Sequence, residues 1–213
     1  MKSLILSSLA AIAAAQEDLT FTSQDQFKLK HPAFINLGKF DDSDDFLLVS
    51  SFKAMGNGDI YIVPNVKEAV IAGDVSQLDP VKLKTHQSFQ WPNNIEVVPS
   101  DVFGERAIVV PDGFLVPGHK DGGIYIMRMD PTELTNVLET VKLTDKKNNY
   151  FYHMGYWVDL NGDGRKDFIT ARSNAKQGKG ELLWLEHPEG GLDSGEYWTE
   201  HVLGNIADVG IEV

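Results

Sequence analysis

A chain of 213 residues with 31 acidic and 19 basic side chains carries a formal net charge of -12, so nucleic acid and anionic membranes would both be repelled and are removed as partners. It has no cysteine, which excludes disulfides and thiol chemistry, and no Asn-x-Ser/Thr acceptor for an N-glycan. Clustered carboxylates suit loops that hold divalent cations, and they suit a solubilising surface equally well.

Residues 1–15 contain Lys2, an apolar run from Leu4 to Ala15 and an Ala13-x-Ala15 ending before Gln16. That is the pattern of a secretory signal peptide: the run is too short to span a bilayer, and no later stretch replaces it. The expected mature chain is secreted and extracellular. It has 213 − 15 = 198 residues and, without Lys2, a charge of -13.

Residues 16–30 are polar with scattered apolar positions and read as a lead-in. The first organised unit begins at His31-Pro32 and continues through Phe34–Leu37, an acidic turn at Asp41–Asp45 and the buried-strand pattern Phe46–Ser50. A Gly56-Asn57-Gly58 turn then leads into Asp59-Ile60-Tyr61-Ile62-Val63. The phrase glycine, spacer, four apolar residues returns at Gly122-Gly123-Ile124-Tyr125-Ile126-Met127 and at Gly180-Glu181-Leu182-Leu183-Trp184-Leu185. The separations, 122 − 58 = 64 and 180 − 122 = 58, set a period near sixty residues.

Between these phrases, the segment from Val110 to Gly122 reads as a long, turn-rich hairpin loop. Pro131–Leu138 is expected to form a short helical turn. The aromatic cluster Tyr150, Phe151, Tyr152, Tyr156 and Trp157 suits packing between neighbouring sheets better than a ligand-stacking platform. Gly210-Ile211-Glu212-Val213 repeats the phrase of Gly155-Tyr156-Trp157-Val158 and of Asn94-Ile95-Glu96-Val97, so a fourth unit is expected to begin there.

The most specific motif is Asp159-Leu160-Asn161-Gly162-Asp163-Gly164-Arg165-Lys166-Asp167, with oxygen-bearing side chains at its first, third, fifth and ninth positions. Such a loop can wrap one hard cation, and calcium takes six to eight oxygens in irregular geometry. An EF-hand needs a bidentate Glu at position twelve and a following helix. Here position twelve is Thr170, and Phe168-Ile169-Thr170-Ala171 favours a strand.

A calcium-type loop feeding a strand resembles the FG-GAP/VCBS repeat, the blade of integrin-α-like β-propellers. The resemblance implies Asp159, Asn161, Asp163 and Asp167 as side-chain ligands of Ca2+, with the Arg165 carbonyl completing the ring. It also implies an all-β fold: a partial, truncated propeller with blades near 31–86, 87–148 and 149–204 and the start of a fourth at 205–213. A ring would then be completed by missing blades or by another copy. A jelly roll or sandwich is the fallback architecture.

The corresponding positions of the second unit are Pro99, Asp101, Phe103 and Ala107, and one carboxylate cannot hold calcium. In the first unit Asp41, Ser43 and Asp45 form at best a compressed site, and a solvated acidic turn is the preferred reading. None of His31, His86, His119, His153, His187 and His201 has zinc-ligand spacing, and no Gly-x-Ser-x-Gly elbow occurs. The expected function is a non-catalytic, calcium-bound scaffold recognising an extracellular protein or glycan. The alternative is a fragment of a propeller-based sugar lyase or dehydratase, a class the resemblance also admits.

Overall fold

The computed structural model describes residues 26–42, 45–53, 56–113, 121–145, 149–174 and 178–206. The signal segment, most of the lead-in, the middle of the 110–122 insert and the start of the fourth unit lie outside the described residues. The fold is all-β, with three four-stranded antiparallel sheets. The first holds β1 (Pro32–Gly38), β2 (Phe46–Ser51), β3 (Ile60–Val63) and β4 (Val81–Lys82). The second holds β5 (Glu96–Val97), β6 (Ala107–Asp112), β7 (Gly123–Met129) and β8 (Val137–Lys142), and the third β9 (Tyr150–Val158), β10 (Asp167–Asn174), β11 (Lys179–Glu186) and β12 (Thr199–Ile206). Within each sheet the strands neighbour one another in sequence order, without the crossover a jelly roll requires.

Side-chain alternation decides how the sheets stack. On β6, Ala107 and Val109 join a core with Tyr152, Phe168, Leu183 and Leu185 of the third sheet. Their neighbours Ile108 and Val110 join a second core with Phe46, Leu48, Ile60 and Ile62 of the first sheet. Strand β7 divides in the same way, Ile124 and Ile126 one way and Tyr125 and Met127 the other. A period of two therefore buries both faces of the middle sheet, which explains why β6 is buried at every position.

The recurring glycines sit where backbones approach too closely for a side chain. A Cβ on Gly58 would lie 2.4 Å from Pro92 Cδ and 2.5 Å from the Ser51 carbonyl oxygen. One on Gly122 would lie 2.6 Å from the carbonyl oxygens of both Asp112 and Tyr150, at the join between the second and third sheets. Close approach, rather than a special backbone angle, fixes glycine there.

Two segments depart from the sequence reading. Helix α1 (Val66–Ala72) interrupts the strands, ending at Gly73 (φ 70°), whose N–H donates to the Val70 carbonyl. Val66 and Ala69 pack with Val49, Val63 and Leu78, so α1 covers the face of the first sheet that points away from the second. The helical turn expected over Pro131–Leu138 is replaced by turns and the start of β8. Asp130 Oδ1 accepts from Thr132 N (2.8 Å), Thr132 Oγ1 (2.8 Å) and Glu133 N (3.0 Å), and Val137 pairs with Met129. An Asx turn captures the donors at the entry, and the strand ladder takes the rest.

Candidate metal centre

The β9–β10 connection is the Asp159–Asp167 loop. Gly162 (φ 77°) and Gly164 (φ 87°) adopt left-handed backbone that lets the loop curl around its first residue. Asp159 Oδ1 accepts from Gly162 N (2.7 Å) and Asp163 N (3.2 Å), and its Oδ2 accepts from Gly164 N (2.9 Å). Asn161 Oδ1 accepts from Asp163 N (3.0 Å), while its Nδ2 donates to Asp163 Oδ2 (3.0 Å). Asp159, Asn161 and Asp163 are exposed, and Arg165 is half-buried.

Asp167 behaves differently. It is buried, accepting from Leu160 N (2.9 Å) on one oxygen and from His187 N (2.9 Å) on the other. It thereby ties both ends of the loop to the end of β11. The His187 ring stacks on Trp198 at 4.7 Å, and burial holds its pKa below the usual histidine value.

Arg165 spans the site. Its backbone N–H donates to Asp163 Oδ1 (2.9 Å), which keeps that carboxyl below the usual range; its guanidinium pairs with Asp163 Oδ2 (2.5 Å) and reaches the His187 carbonyl (3.0 Å). Among the described residues no group of three or more His, Asp or Glu converges as a metal cage. The donor chemistry nevertheless fits a hard cation. An ionised carboxylate has about four acceptor sites, and Asp159 uses three of them on loop N–H groups, Asp163 three on the N–H groups of Asn161 and Arg165, and Asp167 two on the N–H groups of Leu160 and His187. Each keeps capacity for a metal, provided the Arg165 guanidinium leaves Asp163 and the Asn161 oxygen turns inward. When bound, the cation would supply positive charge that relieves the repulsion among these carboxylates.

In the second sheet the equivalent connection is helix α2 (Ser100–Phe103), closed by Gly104 (φ 69°). Phe103 packs against Trp157 (5.4 Å), His187 (5.4 Å) and Trp198 (6.1 Å). Where the third sheet has a polar loop, the second inserts an aromatic anchor. In the first sheet Asp41 pairs with Arg106 (2.5 Å) and Asp42 with Lys39 (3.0 Å), as a solvated acidic turn would.

Sequence reasoning missed the buried polar groups between the sheets. Arg172, 4% exposed, is held by Glu181 (2.7 Å), Glu200 (2.6 Å) and the Tyr152 hydroxyl (3.2 Å), with Tyr150 stacked on its guanidinium at 5.1 Å. Asp112, 2% exposed, accepts from Gln90 N (2.7 Å); burial pushes its carboxyl up to about 7, against the pull of the Gln90 and Gly113 N–H groups and Lys142. The aromatic cluster serves packing: Tyr152 and Phe151 are buried, and Trp157 lies 4.7 Å from Phe168. Comparison with known proteins finds no matching family model, no similar curated protein and no similar solved structure.

Proposed function

We propose that the chain is a secreted, non-catalytic recognition scaffold built from propeller-type blades, in which calcium rigidifies the β9–β10 connection. The observation that carries this reading is the stack of three sequential four-stranded meanders, face to face, at the sixty-residue period of the sequence. Propeller blades stack in this manner, each burying its faces on its neighbours. Helix α1 occupies the outward face of the first sheet, so a further blade, whether from this protein or from another copy, would join at the third.

Within that scaffold Asp159, Asn161, Asp163 and Asp167, with the Arg165 carbonyl, hold the cation, and Asp167 transmits the constraint to β11 through His187 N. A ligand at one hundred times its dissociation constant stabilises the folded state by about 2.7 kcal/mol. For a chain of this size that raises Tm by roughly 5–10 °C. Thermal unfolding with calcium and with EGTA should differ by that amount, and Asp163→Ala should abolish the difference. Superimposable curves would overturn the assignment.

A further inference from the structure

A further carboxylate reaches the Asp159–Asp167 loop from the neighbouring hairpin. Glu186 is the last residue of β11 and pairs with Thr199 of β12; alternation turns its side chain to the face opposite Leu183 and Leu185. Its Oε1 accepts from Asn161 Nδ2 (3.3 Å), and its Oε2 meets His201 Nε2 (2.7 Å). The His201 ring stacks in turn on Trp184, 4.2 Å away and 14° from parallel. Loop, carboxylate, imidazole and indole are thus joined in one run of contacts.

The Asn161 amide is the hinge of that run. Its nitrogen donates to Asp163 Oδ2 (3.0 Å) as well as to Glu186 Oε1, so one NH2 group stands between two carboxylates. Turning the amide about its Cβ–Cγ bond exchanges nitrogen for oxygen at that point with almost no change of shape. Asp163 N loses Asn161 Oδ1 (3.0 Å) as an acceptor but keeps Asp159 Oδ1 (3.2 Å). The turned oxygen would stand beside two carboxylate oxygens at the 3.0 and 3.3 Å now held by the nitrogen. Without a cation those oxygens repel, and the nitrogen faces in. Around calcium, with metal–oxygen distances of about 2.3–2.6 Å, neighbouring ligand oxygens stand roughly 2.8–3.5 Å apart, which is the same spacing.

Ligand number points the same way. Asp159, Asn161, Asp163, Asp167 and the Arg165 carbonyl can supply one oxygen each, and calcium takes six to eight. Glu186 fills a position the loop leaves open, and its charge raises affinity. The next residue, His187, already takes Asp167 on its backbone N–H, so the same strand end would hold the ion's shell through backbone and side chain together.

We propose that Glu186 is a sixth protein ligand of the cation, admitted when Asn161 turns its oxygen inward and the Arg165 guanidinium leaves Asp163. The inference rests on the calcium reading of the loop and carries it to β11 and, through His201, to Trp184.

The test compares the whole mature chain as wild type, Glu186→Gln, Asp163→Ala and the charge control Glu189→Gln, at an exposed position. Calorimetry reads calcium affinity. The luminescence lifetime of europium(III) bound in calcium's place, in H2O and in D2O, counts the waters left on the ion. Glu186→Gln should weaken calcium binding about tenfold or more and leave about one more water on europium, while Glu189→Gln should change neither. Calcium should shift the tryptophan emission of the wild type, and the shift should vanish in Glu186→Gln and in Trp184→Phe. Equal melting of wild type and Glu186→Gln in EGTA checks that the fold is kept. An unchanged affinity or an unchanged water count in Glu186→Gln, or an equal loss in Glu189→Gln, would overturn the role of Glu186; abolition of binding by Asp163→Ala would then leave the loop assignment standing. A wild-type chain that takes up no calcium would overturn both.

Discussion

Replacing Asp112 with Asn should make the protein less sensitive to alkaline pH. The Asp112 carboxyl is 2% exposed and titrates at about 7 rather than at its ordinary 3.8, because burial disfavours its charge. A carboxyl raised in the folded state binds its proton more tightly there than in the unfolded chain. Its contribution is thus fully present below 3.8 and is lost as the pH rises through about 7. At 1.36 kcal/mol per pH unit the accumulated cost is about 1 kcal/mol at pH 4.5 and about 4 kcal/mol at pH 8. Asn keeps an oxygen to accept from Gln90 N and does not titrate. Urea unfolding of both proteins at pH 4.5 and pH 8 isolates this group, since the other carboxylates cancel in the difference. The stability of Asp112→Asn relative to wild type should improve by about 3 kcal/mol between the two conditions. A difference independent of pH would refute the reasoning, because it would mean that Asp112 titrates alike in both states.

Arg172→Met should cost about 3–5 kcal/mol by leaving the half-buried Glu181 and Glu200 and the buried Tyr152 without their shared cation, and adding Glu181→Gln and Glu200→Gln should recover part of the loss in chemical unfolding. Gly122→Ala should destabilise by about 1–3 kcal/mol, since two carbonyl oxygens stand 2.6 Å from the new Cβ; a melting temperature equal to wild type would contradict that close approach.

The parts of the fold legible in the sequence are those governed by local pattern. Ile60–Val63, Ile124–Met127 and Leu182–Leu185 lie on β3, β7 and β11 because short apolar runs behind a glycine have no stable alternative to a buried strand. The Asp159–Asp167 turn was legible because its glycines and carboxylates satisfy one another within nine residues. Helix α1 was not, since seven residues carry too little periodicity and its apolar side gains order only on Val49 and Val63. The hydrogen-bonded chain Asn36–Asn94–Glu96 between the first and second sheets was equally hidden: its first two members are 58 residues apart, and nothing local in an Asn announces a partner at that distance. Phe103 stood out in the sequence only as a missing ligand, whereas its three aromatic neighbours come from another sheet.

The two-sided burial of the middle sheet carries a consequence for assembly of the fold. Strands β6 and β7 cannot hide both apolar faces until a neighbour arrives on each side, so the second sheet is the obligate partner in each core and the outer sheets never substitute for it. Ordering should therefore propagate outward from the centre, and the slowest native-state amide exchange should fall on β6 and β7. The edge strands β4 and β12, each with one bonded neighbour, should open first. During synthesis the first sheet would wait, incompletely buried, until Ala107–Met129 had emerged, which makes that stretch the gatekeeper of the folding yield.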